Sequence, residues 1–342
     1  MKRIAAVLNP AARDGRSKRW WDKHGTKVEE ALGADIELLP TSAPGDGGRI
    51  GWGLREHDLV LAIGGDGTVH EVASGLRGSK VPLAVIPVGT GNDFARTHCV
   101  PALDVTGIIE VLTDGVIRSC PAIRVEARPA AGTEGYPIAE TTEWDGPSEK
   151  DGWIVRWVFI ESDAGITSAT SRAKLRRGKW LRGTAKYTYL GATEVMRWKR
   201  RKVHVRINDG SWSRIDFTAI AVTVGEVFGG GYKVCPGHHP GIDGAGFIEV
   251  SGLSKLKMLR LMGPLYKGRH VGKWGIRQDT IKTLELAHDR DGKPDLDVIE
   301  PVTWVQADGE PNMMIPARLE YHPDQLLVLG ARKVPWDREV PG

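Results

Sequence analysis

Leu59-Val60-Leu61-Ala62-Ile63-Gly64-Gly65-Asp66-Gly67-Thr68-Val69-His70-Glu71-Val72 decides how the rest of the chain is read. Its first five residues are an apolar run of strand length. After the glycines, Val69, Val72, Ala73 and Leu76 recur at helical spacing, so the stretch predicts a strand, a glycine turn and a helix. Glycines at 64, 65 and 67 let the backbone approach a bulky ligand or take up positive φ. Successive N–H groups at such a turn, backed by a helix N-terminus, form a concavity suited to phosphate. A tight turn without a ligand would use the same glycines. A second stretch shifts the balance. Val81–Ile86 is another buried-strand run, and Pro87-Val88-Gly89-Thr90-Gly91-Asn92-Asp93-Phe94-Ala95-Arg96 follows it, again a glycine turn into a polar helix start. Two such strand ends suit neighbouring strands of one parallel sheet, whose ligands lie beyond the carboxyl ends.

Outward from this pair, Ile4–Leu8 reads as a first strand ending in Asn9-Pro10, and a helix carrying Trp20, Trp21, Val28 and Leu32 follows. Ile36–Leu39 is a short strand, and a turn-rich stretch from Thr41 to Gly48 leads into a short helical piece. Strand–helix alternation to about residue 118 predicts a doubly wound α/β domain. Beyond it, Val116–Val125, Ile154–Ile160, Val203–Ile207, Phe217–Val224, Phe247–Val250, Thr280–Ala287 and Val302–Gln306 read as strands with few helices between them. That texture predicts an antiparallel β-sandwich as the C-terminal domain. Residues 128–151 lack periodicity and read as an exposed excursion. Two helices are expected within the β region, one over Lys179–Trp198 and one from an N-cap at Ser254 that stops by Pro264. Ala317–Leu329 reads as two strands around a His322-Pro323-Asp324 turn.

A chain of 342 residues, 41% hydrophobic and 26% charged, is globular in composition. No apolar run reaches the roughly 18 residues of a membrane span, and Met1-Lys2-Arg3-Ile4 opens no secretory signal, so a cytoplasmic protein is expected. Cys99, Cys120 and Cys235 are too few and scattered for a disulfide framework or a zinc site. Net charge is only +4, but Arg172–Arg206 holds thirteen Lys/Arg against one acid, Glu194, interleaved with Trp180, Tyr187, Tyr189 and Trp198. A solvated helix face would account for this. So would an anionic partner, either membrane or nucleic acid. No nucleic-acid module accompanies the segment, which favours an anionic membrane surface and no nucleic acid.

Four places could carry chemistry. Asp66 and Thr68 either close their own turn or serve a phosphate loop, Thr68 with the loop N–H groups on phosphate and Asp66 orienting a metal or the loop. Asn92-Asp93 either cap a helix or do the same from the second loop. Asp308-Gly309-Glu310 follows the apolar strand Val302–Gln306. It is either a solvated turn or a carboxylate placed to take a proton from a hydroxyl. Gly229-Gly230-Gly231 precedes Pro236, Gly237, Asp243 and Gly244, and Asp243 could hold a divalent cation with backbone carbonyls.

Gly64–Leu76 and Pro87–Arg96 closely resemble the two signature blocks of the diacylglycerol kinase catalytic-domain family, which includes bacterial soluble lipid kinases and sphingosine and ceramide kinases, with NAD kinases as distant relatives. Asn9-Pro10, Thr41–Asp46, Gly178–Tyr189, the Gly229–Gly244 region and Asp308-Gly309-Glu310 are similar to its other blocks in order. The resemblance implies an ATP- and Mg2+-dependent kinase acting on a hydroxyl of a membrane lipid, most of all diacylglycerol. A ceramide, sphingoid base or phosphatidylglycerol acceptor, a soluble acceptor such as NAD, and a non-catalytic nucleotide-binding regulator are the alternatives. It implies that Asn9, Thr41, Gly64, Gly65, Asp66, Gly67, Thr68, Val69, His70, Glu71, Gly89, Thr90, Asn92 and Asp93 serve the nucleotide. Glu310 would be the proton acceptor with Asp308 beside it, and Asp243 with the carbonyls of Pro240 and Ala245 a metal site. Residues 1–118, with a C-terminal return over 317–342, would form the ATP-binding domain, and 119–316 the lipid domain. The enzyme would touch the membrane reversibly through Arg172–Arg206, and its oligomeric state is left open, a dimer included. Glu161-Ser162-Asp163-Ala164-Gly165 lacks an asparagine usual in the family, and Ala245-Gly246 replaces a usual pair of leucines.

Overall fold

β1 (Ile4–Leu8), β3 (Leu59–Gly64) and β4 (Pro82–Pro87) are buried along their whole length. Continuous apolar runs of this kind are what a parallel sheet covered on both faces requires. With β2 (Ile36–Pro40) they form a parallel sheet in the order β4-β3-β1-β2. Alternate residues point to opposite faces. Ile4, Ala6 and Leu8 join Leu61, Ile63, Ala84 and Ile86 in a core closed by α1 (Arg16–Leu32) and α5 (Val105–Asp114). Ala5, Val7, Val60 and Ala62 face the other core, closed by α2 (Asp46–Gly53) and α3 (Asp66–Leu76). The chain turns opposite ways from β1 to reach β2 and β3, so the switch point lies between β1 and β3, where ligands of such sheets bind. A single helical turn, α4 (Asp93–Thr97), follows the second glycine loop.

The computed structural model describes residues 2–129, 148–150, 152–176, 183–297 and 302–336. Most of the expected 128–151 excursion, residues 177–182 of the basic segment and residues 337–342 of the expected return lie outside the described residues. The second unit is antiparallel. β5 (Val116–Pro129) pairs with β7 (Trp153–Val158), which also carries β6 (Ser148–Lys150). Then come β8 (Glu161–Gly165), α6 (Ile166–Arg176), α7 (Gly183–Arg197), β9 (Arg201–Ile207) and β10 (Ser213–Thr223), the small ladder β11 (Val227–Phe228) with β12 (Tyr232–Lys233), and β13 (Ala245–Ser251). α8 (Lys255–Tyr266) precedes β14 (Ile276–Ile281), β15 (Thr283–Arg290), β16 (Lys293–Asp295), β17 (Trp304–Ala307) and β18 (Glu310–Gly330). Pairings run β15-β9-β10-β8-β17-β18 and return from β18 to β15, so the sandwich closes on itself.

β18 joins the two units. Along one edge it pairs with β17, then β15, then parallel to β4, while β5 runs along the other edge. Two strands around a turn were expected at Ala317–Leu329. The chain instead continues straight, with a register shift between His322 and Leu326 against β5 and Asp324 at φ 54°. Pro323 and Asp324 make a bulge rather than a reversal because β5 continues as their partner on both sides. Thr280–Ala287, read as one strand, is divided between β14 and β15. Ser254 caps α8, its Oγ accepting from Lys257 N at 3.4 Å, but the helix runs through Pro264 to Tyr266. No helix among the described residues is long and apolar enough to cross a membrane.

Candidate functional site

The two glycine loops touch backbone to backbone. Val88 N and Gly89 N both donate to Gly64 O, at 3.0 and 3.1 Å. A Cβ on Gly89 would meet Gly65 Cα at 2.5 Å, and one on Gly64 would meet Thr68 Oγ1 at 2.4 Å. Close approach, not positive φ, demands these glycines. The left-handed residue is Asn92, at φ 53°. Its Nδ2 donates to Gly89 O at 3.2 Å, and its Oδ1 is buried without a partner. Asp66 locks one loop to the other, its Oδ1 accepting from Phe94 N at 3.2 Å. Burial, with the charge of Asp93 nearby, raises the Asp66 carboxyl to about 6. Asp93 reaches the second unit and accepts from Gly230 N at 2.7 Å and Gly231 N at 2.8 Å.

The start of α3 opens into a cavity of about 1250 Å³ whose wall includes Asp66, Gly67, Thr90, Gly91 and Asp93. Arg13, Arg16 and Arg19 stand at the same wall, and Arg13 Nη1 donates to Gly89 O at 3.2 Å. Free N–H groups at a helix start with three guanidinium groups suit a polyanion. Asn9, Thr41, Thr68, Val69 and Glu71, also expected at a nucleotide, are not among the residues that line it. Asn9 closes its own turn, Oδ1 accepting from Ala11 N at 3.0 Å, and Thr41 N donates to Leu8 O at 2.8 Å. Thr68 and Val69 are buried beneath the loop. Glu71 holds the start of α2, accepting from Gly45 N and Gly47 N at 2.9 and 3.0 Å.

His70 crosses to the second unit, its Nδ1 lying 2.7 Å from Asp308 Oδ2. Asp308 and Gly309, at φ 46° and 88°, form the two-residue turn between β17 and β18. Asp-Gly with both residues left-handed is the connection a tight hairpin favours. The turn is not solvated: the Asp308 side chain is fully buried. Its carboxylate accepts from Phe159 N, Ile160 N and Glu161 N at 2.9, 3.0 and 2.9 Å, besides His70. Burial alone would lower the His70 pKa. The hydrogen bond and charge of Asp308, with Glu310 and Glu71 behind them, outweigh it and hold the imidazolium above its ordinary range. Asp308 is therefore fully engaged in joining the units. Glu310 is half-buried at the cavity wall, and among the described residues no hydrogen bond or ion pair holds its carboxylate.

Sequence reasoning missed a second acidic group, on β8, where Glu161 and Asp163 point to one face as residues i and i+2 of a strand must. Gln306 Nε2 donates to Glu161 Oε1 at 3.0 Å and also to Asp163 Oδ2, and Asp163 Oδ1 accepts from Thr167 Oγ1 at 2.6 Å. All three line the cavity. Burial, then the charges of Asp163, Asp308 and Asp93, push the Glu161 carboxyl well above the usual range, and burial raises Asp163 to about 6. Burial therefore favours the protonated form of Glu161. Raised carboxyl pKa values mean that the stability they lend is complete below the ordinary carboxylate range and is lost as pH climbs through the folded values, about 6 for Asp163. Glu161→Gln imitates the protonated acid. Its melting temperature should match the parent at acidic pH and fall less toward alkaline pH, where one proton is worth about 1.4 kcal/mol per pH unit. Parallel melting curves across the whole range would place the proton elsewhere.

At the expected metal site, Asp243 is exposed and its carboxylate pairs with the Lys282 ammonium, while Pro240 and Ala245 are buried on either side. Among the described residues no three His, Cys, Asp or Glu side chains gather as metal ligands. The expected basic patch is also partly engaged. Arg201 donates to Val302 O and Thr303 Oγ1, Lys202 pairs with Asp216, and Arg206 with Glu285. Beyond Glu161 the cavity turns apolar, walled by Ile166, Val195, Leu253, Met258, Leu261 and Leu265.

A family model described as the diacylglycerol kinase catalytic domain matches residues 3–125, and one described as the YegS C-terminal NAD kinase beta sandwich-like domain matches residues 162–330. The chain is 24% identical over 343 aligned residues to a diacylglycerol kinase of Mycobacterium tuberculosis (strain ATCC 25618 / H37Rv), covering 96% of each. It is 37% identical over 153 residues to a diacylglycerol kinase of Bacillus subtilis (strain 168), across 44% of this chain and 50% of that one. A solved diacylglycerol kinase structure from Bacillus anthracis str. Sterne shares the fold, with a TM-score of 0.66, 17% identity and coverage of 96% of this chain and 97% of that one. With the glycine blocks in one unit, the sandwich in the other and both models matched in order, this chain belongs to the diacylglycerol kinase catalytic-domain family.

Proposed function

We infer that the protein is an ATP-dependent lipid kinase that phosphorylates a hydroxyl of a membrane lipid, diacylglycerol above all. The observation that carries this reading is the continuity of one cavity from the glycine loops and their arginines, past the unheld carboxylate of Glu310, into an apolar interior. Relatives named as diacylglycerol kinases support the choice of acceptor. Residues 1–118 with the return from 317 onward would hold the nucleotide, and 119–316 the lipid.

The residues fit a triphosphate. The N–H groups at the start of α3, the second loop around Thr90, and Arg13, Arg16 and Arg19 present donors and positive charge. They fit magnesium in donor chemistry too. The carboxyl of Asp66, raised by burial beside Asp93, would hold it, and the ion would neutralise charge on the phosphates. Phosphoryl transfer needs positioning and charge balance more than covalent help from the protein. Glu310 takes the hydroxyl proton, and the apolar interior holds the lipid tails so that the hydroxyl faces the glycine loops. The protein works at the bilayer surface and attaches to it reversibly.

Incubation with labelled ATP, magnesium and a total lipid extract, followed by thin-layer separation, tests the reading. Label in phosphatidic acid is the expected result. Label in a ceramide, sphingoid or phosphatidylglycerol product would change the acceptor. Label only in water-soluble products, or none, would overturn the lipid kinase.

A further inference from the structure

α8 has two unlike faces. Met258, Leu261, Met262 and Leu265 face the apolar end of the cavity. On the outside, Leu256 is 57% exposed, and just past the helix Trp274 is 45% exposed, with Tyr266 and Val271 also in the open. Trp274 takes φ 37° between Gly272 and Gly275, themselves at 77° and 73°. A bulky side chain in that region is uncommon and costs energy that a buried role does not offset here. Lys257 Nζ lies 5.8 Å from the Trp274 ring centre, which brings loop and helix into one surface. Lys255 Nζ donates to Met196 O at 2.5 Å, and Met196 on α7 is 58% exposed alongside.

Charge follows the same surface. From Ser251 to Gln278 the chain carries seven Lys/Arg and no Asp or Glu. Lys255, Lys257, Arg260, Lys267, Arg269 and Lys273 are all exposed. Large apolar side chains set among cations with no acid between them match the interface of an anionic bilayer, where the apolar groups enter and the cations meet headgroups. A water-facing helix has no need of Leu256 or of an outward tryptophan.

We propose that the outer face of α8 with the Val271–Trp274 loop is the surface that docks on an anionic bilayer. The proposal rests on the lipid reading above and adds where the membrane lies. It brings the apolar end of the cavity to the lipid side, because the same helix walls that end from within, and a lipid would enter beside α8 without crossing water. Arg172–Arg206, with several of its cations already engaged, is the competing surface.

The test uses the full chain and vesicles of phosphatidylglycerol with phosphatidylcholine, against phosphatidylcholine alone. The parent should sediment with the anionic vesicles, more weakly as salt rises. Leu256→Ser with Trp274→Ser, and separately Lys257→Gln with Lys273→Gln, should each weaken that binding about tenfold or more. Both variants should keep parental turnover on a short-chain diacylglycerol presented in detergent micelles. A variant with Arg197, Lys199 and Arg200 changed to Gln should bind vesicles as the parent does. Vesicle binding unchanged in both α8 variants, or lost only in the 197–200 variant, overturns the proposal. So does a parent that ignores vesicles but forms a dimer that the α8 changes abolish. Vesicle binding lost as expected, with no phosphorylated lipid from the parent, would leave the docking surface standing and remove the kinase reading. Lipid phosphorylation in micelles by a parent that never binds vesicles would do the reverse.

Discussion

Glu310→Gln is expected to lower phosphoryl transfer by roughly 10²–10⁴-fold, the range typical of removing a positioned general base, while ATP affinity stays within a few-fold. Gln keeps the size and polarity of the side chain and removes only its capacity to take a proton. The arrangement singles out Glu310 over its neighbour: Asp308 is saturated by four donors, whereas Glu310 is two residues along the same hairpin, at the cavity wall and held by nothing among the described residues. The two measurements are steady-state turnover on micellar diacylglycerol and nucleotide binding by calorimetry. Lost ATP binding would make Glu310 part of the nucleotide pocket instead. Full turnover would remove it from the chemistry.

The contrast between Asp308 and Glu310 also shows where a one-dimensional reading runs out. The glycine loops are legible because their signals are local: an apolar run, then glycines, then helical spacing at Val69, Val72 and Ala73. The buried strands β1, β3 and β4 are legible for the same reason. β8 is not, because nothing local in Glu161, Ser162 and Asp163 marks three polar residues for burial, and only the side chain of Gln306 from β17 and the hydroxyls at the start of α6 make their burial tolerable. The helix α6 after it goes unread with it. His322-Pro323-Asp324 carries every local mark of a turn, yet β5 overrides it with a partner on both sides. Asp-Gly at 308–309 does mark a turn. What it cannot mark is the cage around Asp308, built from three backbone N–H groups nearly 150 positions away and a histidine from the other unit.

Asp308→Ala is expected to cost about 3–5 kcal/mol of stability, read from denaturant unfolding. The substitution removes one carboxylate and leaves the N–H groups of Phe159, Ile160 and Glu161 without an acceptor, with His70 unpaired opposite them. Each orphaned buried donor costs about 1–3 kcal/mol, so the loss exceeds that of any one hydrogen bond. Asp308→Asn should fall between parent and alanine, since its one carbonyl oxygen still serves part of the cage while its amide faces donors. The His70 contact adds a pH signature. Folding raises the His70 pKa, so the stability of the pair is complete below the ordinary histidine value of 6.5 and is lost as pH rises through the higher folded value. The stability gap between the parent and His70→Ala should therefore be widest in mild acid and narrow at alkaline pH, and it should vanish in an Asp308→Ala background. A loss under about 1 kcal/mol for Asp308→Ala, or a His70 gap indifferent to both pH and Asp308, would mean that the two units are joined without this contact.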